Sequence, residues 1–482
     1  MKKYDLLKVL GISFLVIVLM SWVIPAGYYS NGSFTSMETI APIGLYDIIR
    51  MPAITIATFI QYGILFLAIG GFYGVLNKTG VYSKLVDNVV DKWKKKREKF
   101  MIITVIAFAL LSSVLGLNSV IFILVPFFVA VLLKLGYSKI NALAMTVGSM
   151  LVGQIGTTLG FGTWGYLKII FGQLGDGLSM FSLILVRIVL FVIATALYVL
   201  LISKNTKEVV TDKKETKKVS KENTIAEEEI PLYSKLDNKK GTMPLVIICV
   251  IVFVFFVIGV YNWYYTFNID IFSNIYEAIT TASVGDFKIF ANVLGTTSEI
   301  GYWGNYDIST LLVIFSLVIG WVYSVKIKDI VDGFMDGMKQ MLVPAIYGML
   351  ASIIFAAFLN LSGNFVYTIV NQFVSANEQF SLPATIGSAV ITSVTYNDFY
   401  SLVSYFMGFF SVYDANVLPI IALIFQAIYG IVMVIAPTSI FLLVGLSYLN
   451  VSYKDWVKYI WKFTLIMFGV TVVISAIATM LS

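Results

Sequence analysis

Four short polar interruptions stand inside apolar stretches of this 482-residue chain. The first carries Ser113, Gly116, Asn118 and Ser119; the second carries Gly156, Thr157 and Thr158 within "GQIGTTLGFGT". The third, "VTYNDFY", holds Thr395, Asn397 and Asp398, and the fourth is Pro437, Thr438 and Ser439. No nucleophile here has a base beside it. The chain has no histidine and one cysteine, Cys249, which excludes His-based triads and relays, Cys or His metal sites and an internal disulfide. An intramembrane enzyme therefore finds no credible catalytic dyad. Hydroxyls, amides and freed carbonyls can bind instead: oxygens coordinate a hard cation, and helix N-termini offer N–H groups to an anion.

Those residues sit in an unusually apolar chain. Hydrophobic residues make up 59 %, charged residues 12 %, and mean hydropathy is +0.89. Many runs exceed the ~18 apolar residues that a bilayer-spanning helix needs. The class is a polytopic membrane protein. The net charge of +6 is no nucleic-acid signal, because the basic residues cluster in a few connecting segments. That clustering is the positive-inside pattern, and it places the N-terminus in the cytoplasm. The first apolar run continues to Ile24 and ends "WVIPAGYY", which reads as an uncleaved helix over Leu6 to Tyr28.

The pattern divides the chain into two membrane repeats. Residues 1–203 form the first, with a hairpin about 100–137 and a broken helix about 138–163. Residues 204–242, rich in Lys, Glu, Thr and Asn, read as a cytoplasmic disordered linker. A connecting helix and an outer loop occupy 243–307. The second repeat covers 308–482, with a hairpin about 380–413 and a broken helix about 414–449. An amphipathic stretch precedes each hairpin. The one at Tyr82 to Lys99 is strongly basic, and the one at Asn364 to Glu378 has no Lys or Arg. The positive-inside rule puts them on opposite faces, so the repeats are expected to be inverted. The expected fold is all-α, with two inverted repeats, re-entrant hairpins and broken helices.

In that arrangement the four interruptions occupy symmetric positions. Non-helical backbone at membrane depth persists only where protein buries it or where it lines a wet cavity. Two tips meeting two breaks make a midplane site for a small polar solute. Asn118, Ser119, Thr157, Thr158, Asn397, Asp398, Thr438 and Ser439 are the expected substrate-binding residues. Ser113, Gly116, Gly156 and Thr395 are the expected ion-binding ones. For Asp398 two readings stay open: a charge facing the site, flanked by Tyr396 and Tyr400, or a marker of the outer water interface. Asp414 and Asp455, at helix starts, read as caps. Arg187, inside an apolar helix, reads as a substrate counter-charge or as a snorkelling or structurally paired cation. A channel would not need two such hairpin and broken-helix pairs.

The stretches "WVIPAGYY", "LGYSKINALAMTVGSMLVGQIGTTLG" and "APTSIFLLVGLSYLNVSYKDWVKYIWKF" resemble the C4-dicarboxylate anaerobic carrier family of the ion-transporter superfamily. The resemblance implies a homodimeric secondary transporter in a bacterial cell membrane, with a scaffold and a mobile, elevator-like transport domain. It also implies a dicarboxylate, arginine/ornithine or other small carboxylate as substrate. Leu159 and Gly160 follow the threonines where the family often has Asn-Pro, and Thr-Tyr-Asn-Asp-Phe-Tyr replaces its frequent Ser-Gly-Ser-Gly. Asp398 at the second tip would repel a dianion. The expected substrate is therefore an amino acid such as arginine or ornithine, with a C4-dicarboxylate or another short organic anion as the alternative. No cofactor is expected beyond a coupling ion, Na⁺ or H⁺. Without histidine, Na⁺ coupling or plain exchange is favoured.

Overall fold

In a bilayer every backbone N–H and C=O must be bonded internally, so apolar runs of this length resolve into helices. The computed structural model describes residues 5–30, 33–37, 39–173, 177–215, 230–236, 238, 240–295, 297–361, 363–375 and 379–481. Among the described residues, seven helices are long and apolar enough to cross a membrane, or eight if one pair bent by 47° counts as a single span.

The described chain opens with α1 (Asp5–Ser21). This helix ends short of the expected Tyr28 because Pro25 disfavours helix in the residue before it. The chain turns instead into a small hairpin of β1 (Gly27–Ser30) and β2 (Ser33–Ser36). Two helices follow, α2 (Leu45–Thr58) and α3 (Ile60–Lys78), parted at Phe59. The amphipathic stretch is α4 (Val81–Trp93). The first hairpin follows as α5 (Arg97–Leu115), α6 (Asn118–Phe122) and α7 (Val125–Lys134). The broken helix is α8 (Lys139–Leu143), a π-helical turn, α9 (Ser149–Gly153), an irregular break, and α10 (Tyr166–Gln173).

α11 (Ile184–Glu215) follows and runs past the expected boundary at 204. The segment read from sequence as disordered is thus helical at its start. Residues 216–229 lie outside the described residues. Ile230, Leu232 and Tyr233, at the segment's far end, are buried, because apolar side chains in an otherwise polar stretch have a protein surface to pack on.

α12 (Met243–Val260) is the connecting helix. The loop beyond it carries α13 (Trp263–Phe267), α14 (Ile271–Thr281), the two-residue strands β3 (Ser283–Val284) and β4 (Phe287–Lys288), and α15 (Ile289–Leu294). α16 (Asn305–Val322) and α17 (Ile327–Leu350) follow, and α17 bends into α18 (Ile353–Leu359). The second amphipathic helix is α19 (Phe365–Ser375). The second hairpin is α20 (Leu382–Thr395) and α21 (Phe399–Phe406), continued by a 3₁₀ turn over Met407–Phe410. The second broken helix is α22 (Leu418–Ile435) and α23 (Ile440–Leu449), and α24 (Tyr453–Leu481) ends the chain.

The tightest helix pair is α3 with α17. Gly70 and Gly74 face Gly333 and Gly337, and a Cβ at Gly337 would run into the Gly70 carbonyl. Small residues allow such close backbone approach in a membrane, where packing rather than water exclusion drives association. Around this pair the hairpins and broken helices gather with their interruptions toward one another.

Candidate functional site

The first tip is locked to the first break by backbone. α5 ends at Gly116, whose φ of +68° is the left-handed region that favours glycine. A Cβ there would also come within 2.9–3.0 Å of Gly160 and Gly162 backbone atoms, so only glycine lets the tip seat on the break. Ser113 Oγ donates to the Gly156 carbonyl at 2.8 Å, and Thr158 N–H donates to the Ser113 carbonyl at 2.9 Å. Thr157 Oγ1 donates to the Gln154 carbonyl at 3.1 Å. Ser113, Gly156 and Thr158 thus hold tip to break, Thr157 bonds back within the break, and none of the four lines the cavity described below.

The second tip is built differently. Asn397 Nδ2 donates to Ser352 Oγ at 3.0 Å and to the Thr438 carbonyl at 2.7 Å, tying α18's start and the second break to the tip. Tyr429 of α22 donates its hydroxyl to the Asn397 carbonyl at 2.8 Å. Asp398 Oδ2 accepts from Ser401 N–H at 2.9 Å and Ser401 Oγ at 2.6 Å, which makes it the N-cap of α21. Thr395 Oγ1 bonds back to the Ile391 carbonyl of its own helix at 2.8 Å. Asn397 Oδ1 and Thr438 Oγ1 are buried without a hydrogen-bond partner.

Gln426 of α22 crosses between the repeats. Its Nε2 donates to the carbonyls of Gln154 at 2.5 Å and Ile155 at 2.7 Å, satisfying the open backbone of the first break.

Both tips and both breaks border one cavity of about 640 Å³. Asn118, Ser119 and Gly116 line it from the first tip, Gln154 from the first break, Asn397 and Asp398 from the second tip, and Ser439 from the second break. Of the expected site residues, the fold thus brings together Gly116, Asn118, Ser119, Asn397, Asp398 and Ser439. Among the described residues, Asp398 is the one charged side chain in the lining. It therefore faces the cavity and caps a helix at once. Around it stand Tyr62, Tyr166, Tyr400 and Tyr429, with the Tyr166 and Tyr400 rings 5.0 Å apart. Tyr396, expected beside Asp398, turns away into the core, where its hydroxyl accepts from Asn364 Nδ2 at 3.0 Å. Tyr265, Tyr302 and Tyr400, 39, 48 and 46 % exposed, mark the open side.

Arg187 is fully buried outside this lining. Its guanidinium stacks on Trp164, 3.8 Å from the ring centroid, and donates to the Met180 carbonyl, so it is a structurally paired cation here. Sequence reasoning passed over Tyr62, Tyr166, Gln154, Gln426 and Tyr429. Gln426 had a signal, since an amide in the middle of an apolar helix needs a partner.

The helices and the shared cavity define a multi-pass membrane protein of carrier type. The model of the DcuC family, the C4-dicarboxylate anaerobic carriers, matches residues 5–482, and the chain belongs to that family. Among solved structures it is similar to the Alcanivorax borkumensis YdaH transporter, at 12 % identity and a TM-score of 0.42, over 98 % of this chain and 97 % of that one. No curated protein matches the sequence.

Proposed function

We propose that this chain is a secondary active transporter, a symporter or exchanger, for a small carboxylate-bearing solute, and that the solute is an amino acid such as arginine or ornithine. One observation carries the reading: the one charge among the described lining residues is a carboxylate set among four tyrosines. Tyrosine faces and a carboxylate attract an ammonium or guanidinium, and Asn118, Ser119 and Ser439 offer donors to the solute's own carboxylate. A dianion would meet Asp398 with no lining Lys or Arg to offset it. The second reading, a C4-dicarboxylate accompanied by coupling cations, is favoured by the name of the family. Purified protein in proteoliposomes, offered labelled arginine, ornithine, succinate and fumarate with and without a sodium gradient, decides between them. Saturable uptake of arginine or ornithine, driven by sodium or by counter-substrate, is expected. Uptake of succinate or fumarate alone would overturn the amino-acid assignment.

The mechanism that suits this site is alternating access between inverted repeats in a homodimer. The hairpins and broken helices move as an elevator against a scaffold built on α3 and α17. The topology has its own test. A cysteine at Lys95 should react with an impermeant thiol reagent only from the cytoplasm, and one at Asn371 only from outside. Reaction of both from one side would refute the inversion.

A further inference from the structure

The apolar tetrapeptide Ile230-Pro231-Leu232-Tyr233, in a stretch otherwise rich in charge, is buried at one end of the helix bundle. Its backbone is held by both sets of elements that the transport reading sets in relative motion. On the α3–α17 side, Leu232 N–H donates to Gln340 Oε1 at 2.8 Å, and Asn77 Nδ2 donates to the Leu232 carbonyl at 3.1 Å. Ser234 N–H returns a bond to Asn77 Oδ1 at 3.0 Å. On the other side, Lys134 at the end of α7 donates to Tyr233 Oη at 2.8 Å, and Tyr448 of α23 donates its hydroxyl to the Pro231 carbonyl at 3.1 Å.

This end is opposite the cavity's open side. α3 carries Gln61 and Tyr62 at the cavity and Asn77 at the tetrapeptide. At 1.5 Å per residue those positions are about 23 Å apart along the helix. α23 likewise places Ile440 and Phe441 at the cavity and Tyr448 at the tetrapeptide.

We infer that residues 230–234 are a clasp that holds the first hairpin's arm and the second broken helix against the α3–α17 pair, and so keeps the cavity closed toward this end. The inference rests on the alternating-access reading for its purpose. Moving α7 and α23 relative to α3 must break one set of these bonds, so the clasp stabilises only the state in which both sets form. A contact made in one state alone sets the population of that state.

The experiment uses the full-length protein with Cys249→Ser and a reporter, Ile169→Cys, in the cavity lining. Labelling of the reporter from the open side by an impermeant thiol reagent reads how often the cavity faces that side. Gln340→Leu and Asn77→Ala remove partners on one side, and Tyr233→Phe removes the Lys134 acceptor while keeping the ring. Each should slow labelling by about threefold, and pairs of them by more, as the closed-end state loses population. The reagent should then reach the reporter faster from the clasp side. Unchanged labelling from both sides in variants that elute as the parent does would overturn the clasp. Should Asn77→Ala or Gln340→Leu fail to fold, Tyr233→Phe gives the answer alone. If the parent carries no offered solute, the transport reading fails while the labelling still reports on the clasp.

Discussion

Asp398→Asn should cut arginine or ornithine uptake by about a hundredfold, at unchanged protein level in the membrane. Removing one partner of a desolvated charge pair costs about 2–5 kcal/mol, and each 1.4 kcal/mol is tenfold in affinity. The substitution isolates the charge. Asparagine caps a helix about as well as aspartate, so the bonds from Ser401 to Asp398 Oδ2 have a ready replacement in the amide oxygen. A dicarboxylate, if carried at all, should gain from the loss of a like charge. The measurement is initial uptake against concentration for both solutes in wild type and variant. Equal loss for arginine and succinate would assign Asp398 to the cap alone, and normal arginine uptake would remove it from the site.

Much of the helical plan was legible because the membrane leaves the backbone few choices. Long apolar runs had to be helices, and polar, Gly-containing interruptions inside them had to be buried or wet. Hence the two tips and two breaks were found from residue type alone, and the family match confirms the resemblance carried by the Gly-Thr-Thr and Pro-Thr-Ser stretches. Which polar atoms face the cavity was not legible. Thr158 and Asn118 look equivalent in sequence, yet Thr158 is used up on Ser113 while Asn118 lines the cavity. The choice depends on how closely Gly116 seats on Gly160 and Gly162, a contact between segments far apart in the chain. The tyrosines around Asp398 were hidden for the same reason. Tyr62, Tyr166 and Tyr429 come from α3, α10 and α22, and no local pattern links them. The Ile230–Tyr233 packing was missed because the surrounding composition is that of a disordered chain, and four apolar residues are too few to shift such an average.

Gln426→Leu tests whether the first break needs its brace from the other repeat. Leucine fills much of the same volume but donates nothing, so the Ile155 carbonyl loses its bond from Nε2 and the Gln154 carbonyl keeps only the one from Thr157 Oγ1. A buried acceptor left unpaired, here the Ile155 carbonyl, costs about 1–3 kcal/mol. Some of that cost is offset, because Gln426 Oε1 is itself buried without a partner and leaves with the amide. The net expectation is a lower thermal midpoint in detergent and a loss of uptake of at least about tenfold. The two readouts separate support from function. Gly430 lies so close that a Cβ on it would stand 2.7 Å from Ile155 N, so α22 and the break have no slack to close over a missing bond. The break should therefore loosen in place, and Gln154, which lines the cavity, should lose its position with it. A variant with a parental thermal midpoint and parental uptake would show that the break's carbonyls are satisfied without Gln426.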